Sequence, residues 1–131
     1  MQFDTSSPIW LQLITEFQRR LVTGEWAPGA RLPAVRDLAA DLGVNPNTVQ
    51  RALSELERDG LCRTERASGR FATDDAPRIA ALRRQVATRV ADEFVSRAQG
   101  FGMTLAEAGS LIEERWTHDH DDVPAIAGSG G

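Results

Sequence analysis

Over the first sixty positions apolar residues recur at spacings of three and four, in three blocks separated by stop signals. Ile9, Trp10, Leu13, Ile14, Phe17 and Leu21 form one stripe behind Ser7-Pro8, a capping hydroxyl followed by proline at the first helical position. Gly24 stops this helix and Pro28-Gly29 marks a loop. A second, shorter helix follows Pro33, with Val35, Leu38, Ala39 and Leu42 facing inward, and ends at Gly43. Asn45-Pro46 repeats the start signal for a third helix, which carries Val49, Ala52, Leu53 and Leu56 on one side and stops at Gly60. Only Gly43-Val44-Asn45 separates the second and third helices, the spacing of a helix-turn-helix unit.

After Gly60 the pattern changes. Leu61 to Glu65 and Arg70 to Thr73 are expected to pair as a hairpin around Arg66-Ala67-Ser68-Gly69, with Gly69 supplying a permissive backbone. Asp74-Asp75-Ala76-Pro77 reads as a hinge. Beyond it Ile79, Leu82, Val86, Val90 and Phe94 mark a long helix to about Gln99, broken by Gly100-Phe101-Gly102. Thr104 and Glu107 make a capping box for a last helix bearing Leu105, Ala108, Leu111, Ile112 and Trp116. The expected fold is mainly α with a small β-wing: a winged helix-turn-helix domain over 1–75, a two-helix C-terminal dimerisation segment over 76–117, and a disordered tail over 118–131. The apolar stripes of the last two helices are too large to leave uncovered on a monomer. Ile79, Leu82, Val86, Val90, Phe94, Leu111 and Trp116 are therefore the expected dimer interface.

Charge changes the picture only once it is divided along the chain. The net charge is −4, yet residues 1–73 hold nine arginines against nine carboxylates, and residues 74–131 hold six against ten. A neutral N-terminal half can still present a basic face. The single cysteine, Cys62, cannot form an internal disulfide, and no stretch is apolar enough to span a bilayer or to serve as a secretory leader. A cytoplasmic location is expected, with no membrane partner.

The chemistry lies on the third helix. Opposite its apolar side stand Asn47, Gln50, Arg51, Ser54 and Arg58, and the first three project together from the opening turns. A recognition helix meets base edges there, and amides and guanidinium groups are the side chains that bond adenine and guanine bidentately. An ordinary solvated helix face has the same composition, so the preceding turn and following hairpin are needed to favour DNA. Arg66 and Arg70 flank the wing tip, where they could meet phosphates or enter a minor groove, or simply stand exposed on a hairpin. His118 and His120 lie in an acidic run but lack a third soft ligand, so no metal site is expected. No nucleophile–base pair or phosphate-binding glycine loop is present; neither an enzyme nor a cofactor is expected.

The run Leu32-Pro33-Ala34-Val35-Arg36-Asp37-Leu38-Ala39, then Val44-Asn45-Pro46-Asn47-Thr48-Val49-Gln50-Arg51-Ala52-Leu53, and Leu56 with Gly60-Leu61, resembles the signature of GntR-family regulators. Pro8-Ile9-Trp10-Leu11-Gln12 is similar to that family's opening helix, and the short two-helix tail resembles the YtrA subfamily, whose members pair through it. The resemblance spans residues 8–73. It implies that Arg36 anchors the DNA, that Asn45, Asn47, Thr48 and Gln50 are contact positions, and that Ser68-Gly69 form the wing tip. Departures stand at Pro46 and Gln50, where larger family members often carry arginine, at Ala67 in place of a wing glycine, and at Ala34 in place of a capping serine. The implied function is a sequence-specific DNA-binding transcription regulator, a repressor acting as a homodimer on double-stranded DNA bearing a pseudo-palindromic operator. Any small-molecule effector is left unidentified. The competing class is a protein-docking module that keeps the winged helix without DNA, and the salt dependence of DNA binding separates the two.

Overall fold

The computed structural model describes residues 1–120, with side chains as far as Trp116. The elements are α1 (Ile9–Thr23), α2 (Val35–Leu42), α3 (Pro46–Arg58), β1 (Cys62–Glu65), β2 (Gly69–Ala72), α4 (Ala76–Gly100) and α5 (Leu105–His120). The chain is mainly helical with a two-stranded antiparallel wing, in which Cys62 pairs with Ala72 and Glu65 with Gly69. Contacts divide it into two compact units, Met1–Ala87 and a second beginning at Thr88.

The first unit, the head, closes around one core. Leu13, Phe17 and Leu21 of α1 meet Leu38 and Leu42 of α2 and Val49, Leu53 and Leu56 of α3, all buried. Trp26, in the loop after α1, is buried with its ring centroid 5.0 Å from that of Phe17. Its place in the core is invisible to periodicity, because it stands outside any helix. The hairpin closes the core with Leu61, Cys62 and Ala72. A third extended segment joins it: Arg31 bridges Phe71, the Leu32 amide donates to the Arg70 carbonyl (2.8 Å), and the Ala72 amide donates to the Ala30 carbonyl (2.8 Å). The segment leading into α2 is thereby tied to the wing.

Two local expectations are corrected. Ser7 does not cap α1. Pro8 occupies the N-cap with no side-chain bond, and Gln12 fastens the segment before it instead. The Gln12 amide donates to the Asp4 carbonyl (2.8 Å) and the Ser7 carbonyl (2.9 Å) and accepts from the Asp4 amide (3.1 Å). The second correction concerns α4. Ile79 and Leu82 are buried in the head's own core and Val86 packs against it, so the head extends to Ala87 rather than Asp75. A side chain wholly enclosed within one chain has no surface to offer a partner. Ile79 and Leu82 therefore leave the expected dimer interface, and Val86 is largely taken up by the head.

The second unit contains the rest of α4 and α5. The expected capping box is present: the Glu107 amide donates to the Thr104 hydroxyl (3.1 Å) and the Thr104 amide to the Glu107 carboxylate (2.9 Å). Ala98 is buried, Phe94 is half-buried, and Val90, Leu111, Ile112 and Trp116 are exposed. α5 continues to His120, and the remainder of the tail expected over 118–131 lies outside the described residues, as do the side chains of His118 and His120.

Candidate nucleic-acid interface

α3 owes its start to Asn45, whose side-chain carbonyl accepts the Asn47 amide at 2.7 Å, and to Pro46 at the first helical position. Gly43 turns the chain between α2 and α3 with a positive φ of 70°, which glycine adopts without steric cost. With Val49, Ala52, Leu53 and Leu56 buried, Asn47, Gln50, Arg51, Ser54 and Arg58 are left exposed on the other side, and Thr48 is half-buried. The Gln50 amide donates to the Ser54 hydroxyl (3.2 Å), which braces it along the helix. Asn45 is partly committed. Its oxygen accepts the cap bond, which leaves its NH₂ group as the uncommitted donor.

The nine arginines of residues 1–73 sort into two sets. Arg19 and Arg20 pair with Glu16 and Glu25, Arg58 with Glu55, Arg63 with Glu65, and Arg70 with Glu57. Arg31, Arg36, Arg51 and Arg66 pair with no carboxylate among the described residues. These stand just before α2, in its first turn, on the exposed side of α3 and at the wing tip. Residues 1–73, whose charges balance, therefore leave the arginines that lack a carboxylate on the helix-turn-helix and wing. That distribution produces a basic face without a basic composition.

Arg70 departs from its expected role. It is half-buried, its Nε lies 3.4 Å from Glu57, and Thr64 donates to the same carboxylate at 2.8 Å. The trio ties the wing to the end of α3, so Arg70 acts as a brace rather than an open phosphate contact. Arg66 remains exposed beside Ala67 and Ser68. Ala67 takes φ 64°, a left-handed conformation that costs about 1 kcal/mol for a residue with a Cβ. Gly69 is favoured by its φ of +110°, and a Cβ there would come within 2.9 Å of the flexible Arg31 guanidinium, which would have to move aside. Arg31 was not among the candidates, and its bridge to Phe71 is the kind of long-range pairing that spacing cannot reveal.

Cys62 is buried, and its Sγ–H donates to the Leu53 carbonyl at 3.7 Å. Burial pushes its thiol up to about 11, with smaller opposing effects from Arg70 and Glu57, so it is a neutral core side chain at physiological pH. Among the described residues no cluster of three metal-binding side chains occurs, and no helix is long and apolar enough to cross a membrane.

The model of the gntR family of bacterial regulatory proteins matches residues 11–71. An uncharacterized HTH-type transcriptional regulator of Bacillus subtilis (strain 168), YhcF, is 40% identical over 106 residues, which is 81% of this chain and 88% of the relative. The chain belongs to the gntR family. It is a DNA-binding transcription regulator. Also similar is the HTH-type transcriptional repressor YtrA of the same organism, 40% identical over 72 residues, or 55% of each chain. Among solved structures, a GntR family transcriptional regulator from Listeria monocytogenes superposes with a TM-score of 0.79 at 34% identity, covering 86% of this chain and 98% of that one. That likeness reaches well beyond the winged helix, so this GntR regulator shares α4 and α5 with a solved relative.

Proposed function

We propose that this regulator is a repressor, acting in the cytoplasm as a homodimer on a pseudo-palindromic operator. In this reading α3 enters the major groove, where Asn47 and Gln50 bond base edges and Arg51 bonds a base or a phosphate. Arg36 anchors a phosphate from α2, and Arg66 with Ser68-Gly69 approaches the flanking groove. The observation that carries this is the placement of Arg31, Arg36, Arg51 and Arg66, which lack a carboxylate partner, on the helix-turn-helix and wing, while the other arginines of residues 1–73 are paired with carboxylates. Repression is favoured by the likeness to YtrA. The apolar groups left exposed on the second unit favour a dimer.

Binding to duplexes recovered from a random-pool selection tests the reading. Affinity should fall steeply between 50 and 200 mM salt, and Arg36→Ala should weaken binding to every sequence while lowering the salt slope by about one. Asn47→Ala and Gln50→Ala should instead each cost about 1–3 kcal/mol on the selected site and relax preference there. A salt-insensitive interaction, or no enriched sequence, would overturn the assignment and favour a protein-docking role.

A further inference from the structure

Trp10 is not a core residue, although it stands in the apolar stripe of α1. It is half-buried at the first turn, and the Cζ of Arg51 lies 3.9 Å from its ring centroid. That places the guanidinium over the indole ring, well within cation–π range. We propose that Trp10 is a positioning residue for DNA recognition, holding the Arg51 guanidinium ready against the operator. The proposal rests on the reading of α3 as the recognition helix.

Arg51 and the carboxylate-paired arginines are held by different chemistry, with opposite consequences. Arg19 and Arg20 would have to leave Glu16 before meeting a phosphate. An aromatic face restrains a guanidinium while leaving its charge uncompensated and its in-plane N–H donors available. An unrestrained arginine loses rotamer freedom on docking, and one held over a ring has already lost part of it.

The platform is itself restrained. Gln12, one turn on from Pro8, bonds Asp4 and Ser7 through three hydrogen bonds and fixes the chain entering α1 where fraying would otherwise begin. Trp10 thus projects from a helix start secured from outside, onto the side of α3 that carries Asn47 and Gln50.

The test uses the intact protein and the duplex recovered from random-pool selection, with dissociation constants for wild type, Arg51→Ala, Trp10→Leu, Trp10→Phe and the double variant Trp10→Leu/Arg51→Ala. Arg51→Ala should weaken binding tenfold or more, and Trp10→Leu about threefold to tenfold. Trp10→Phe should lose less, since it keeps a ring, and it carries the test if Trp10→Leu unfolds. The double variant should bind no more weakly than Arg51→Ala alone, a result that a merely structural role for Trp10 would not give. Wild-type or tighter binding by Trp10→Leu, or losses that multiply in the double variant, would overturn the proposal while leaving α3 as the recognition helix. Wild-type affinity in Arg51→Ala would overturn it as well. Asn47→Ala then decides whether the α3 reading survives without Arg51.

Discussion

The head and the second unit are built from similar proportions of apolar residues, and only one of them hides its own. In the head, side chains from α1, α2, α3, the wing and the start of α4 are drawn into one cluster, and Leu13, Phe17, Val49, Leu56 and Leu82 are completely enclosed. From Thr88 to Trp116 the single buried apolar side chain is the small Ala98, while Leu105 is 89% exposed, Phe101 75%, Trp116 66% and Val90 63%. Burial is the main favourable term in folding, so the head is expected to stand alone and the second unit is not. The difference teaches where the proposed second copy would act. Its absence should be felt in the tail and in operator binding, not in the stability of the head.

The sharpest way to break this comparison is to move the point of truncation. A chain ending at Asp75 loses Ile79 and Leu82 from the head's core, a loss of at least about 4 kcal/mol by analogy with large-to-small core changes. A chain ending at Ala87 keeps both and should melt cooperatively as a folded monomer. Thermal unfolding of the two fragments checks this; equal melting temperatures would show that the start of α4 contributes nothing to the head.

Next in size is the charged pair Val90→Glu with Ile112→Glu. Both positions are exposed in the single chain, so the head's unfolding should be unchanged. Operator binding should fall by about 100-fold, because the second head is no longer held at high effective concentration. A gel shift on a full palindrome and on a half-site measures both sides of this, and full affinity in the variant would remove the second unit from the assembly.

The smallest expected effect belongs to the head alone. Arg19, with Arg20, holds the Glu16 carboxyl down at about 2 against an ordinary 4.5, partly opposed by burial. A depressed carboxyl contributes stability that is fully present above about pH 4.5 and lost as pH falls toward 2. Partial exposure and screening reduce the contribution to about 1 kcal/mol. Glu16→Gln should therefore be less stable than wild type near neutrality, with the gap closing below pH 4. A gap that persists at pH 2 would point to packing rather than charge.

The comparison also explains what was legible beforehand. α2, α3 and the turn between them follow from punctuation in the sequence: Gly43 and Gly60 stop helices, and Asn45-Pro46 starts one. The capping box of α5 was equally local. A stripe such as Ile79, Leu82, Val86, Val90 and Phe94 shows that a face is covered but not by what. Its first part turned inward to the same chain. Whether a polar residue is available depends on partners far away in sequence, and periodicity carries no information about them. Arg70 meets Glu57 across the wing, Arg51 meets Trp10 across two helices, and Arg31 reaches Gly69, so similar exposed arginines acquire different roles. Trp26 and the bridge at Arg31 lie outside every regular element, where no pattern marks them.

The most direct test of the central claim is analytical sedimentation of the intact protein beside the fragment ending at Ala87, at micromolar concentration with and without the selected duplex. The intact chain should sediment as a dimer and load two chains onto one palindrome, while the fragment remains a monomer that fills half-sites singly and weakly. An intact chain that sediments as a monomer and still binds the full palindrome more tightly than the fragment would contradict the account.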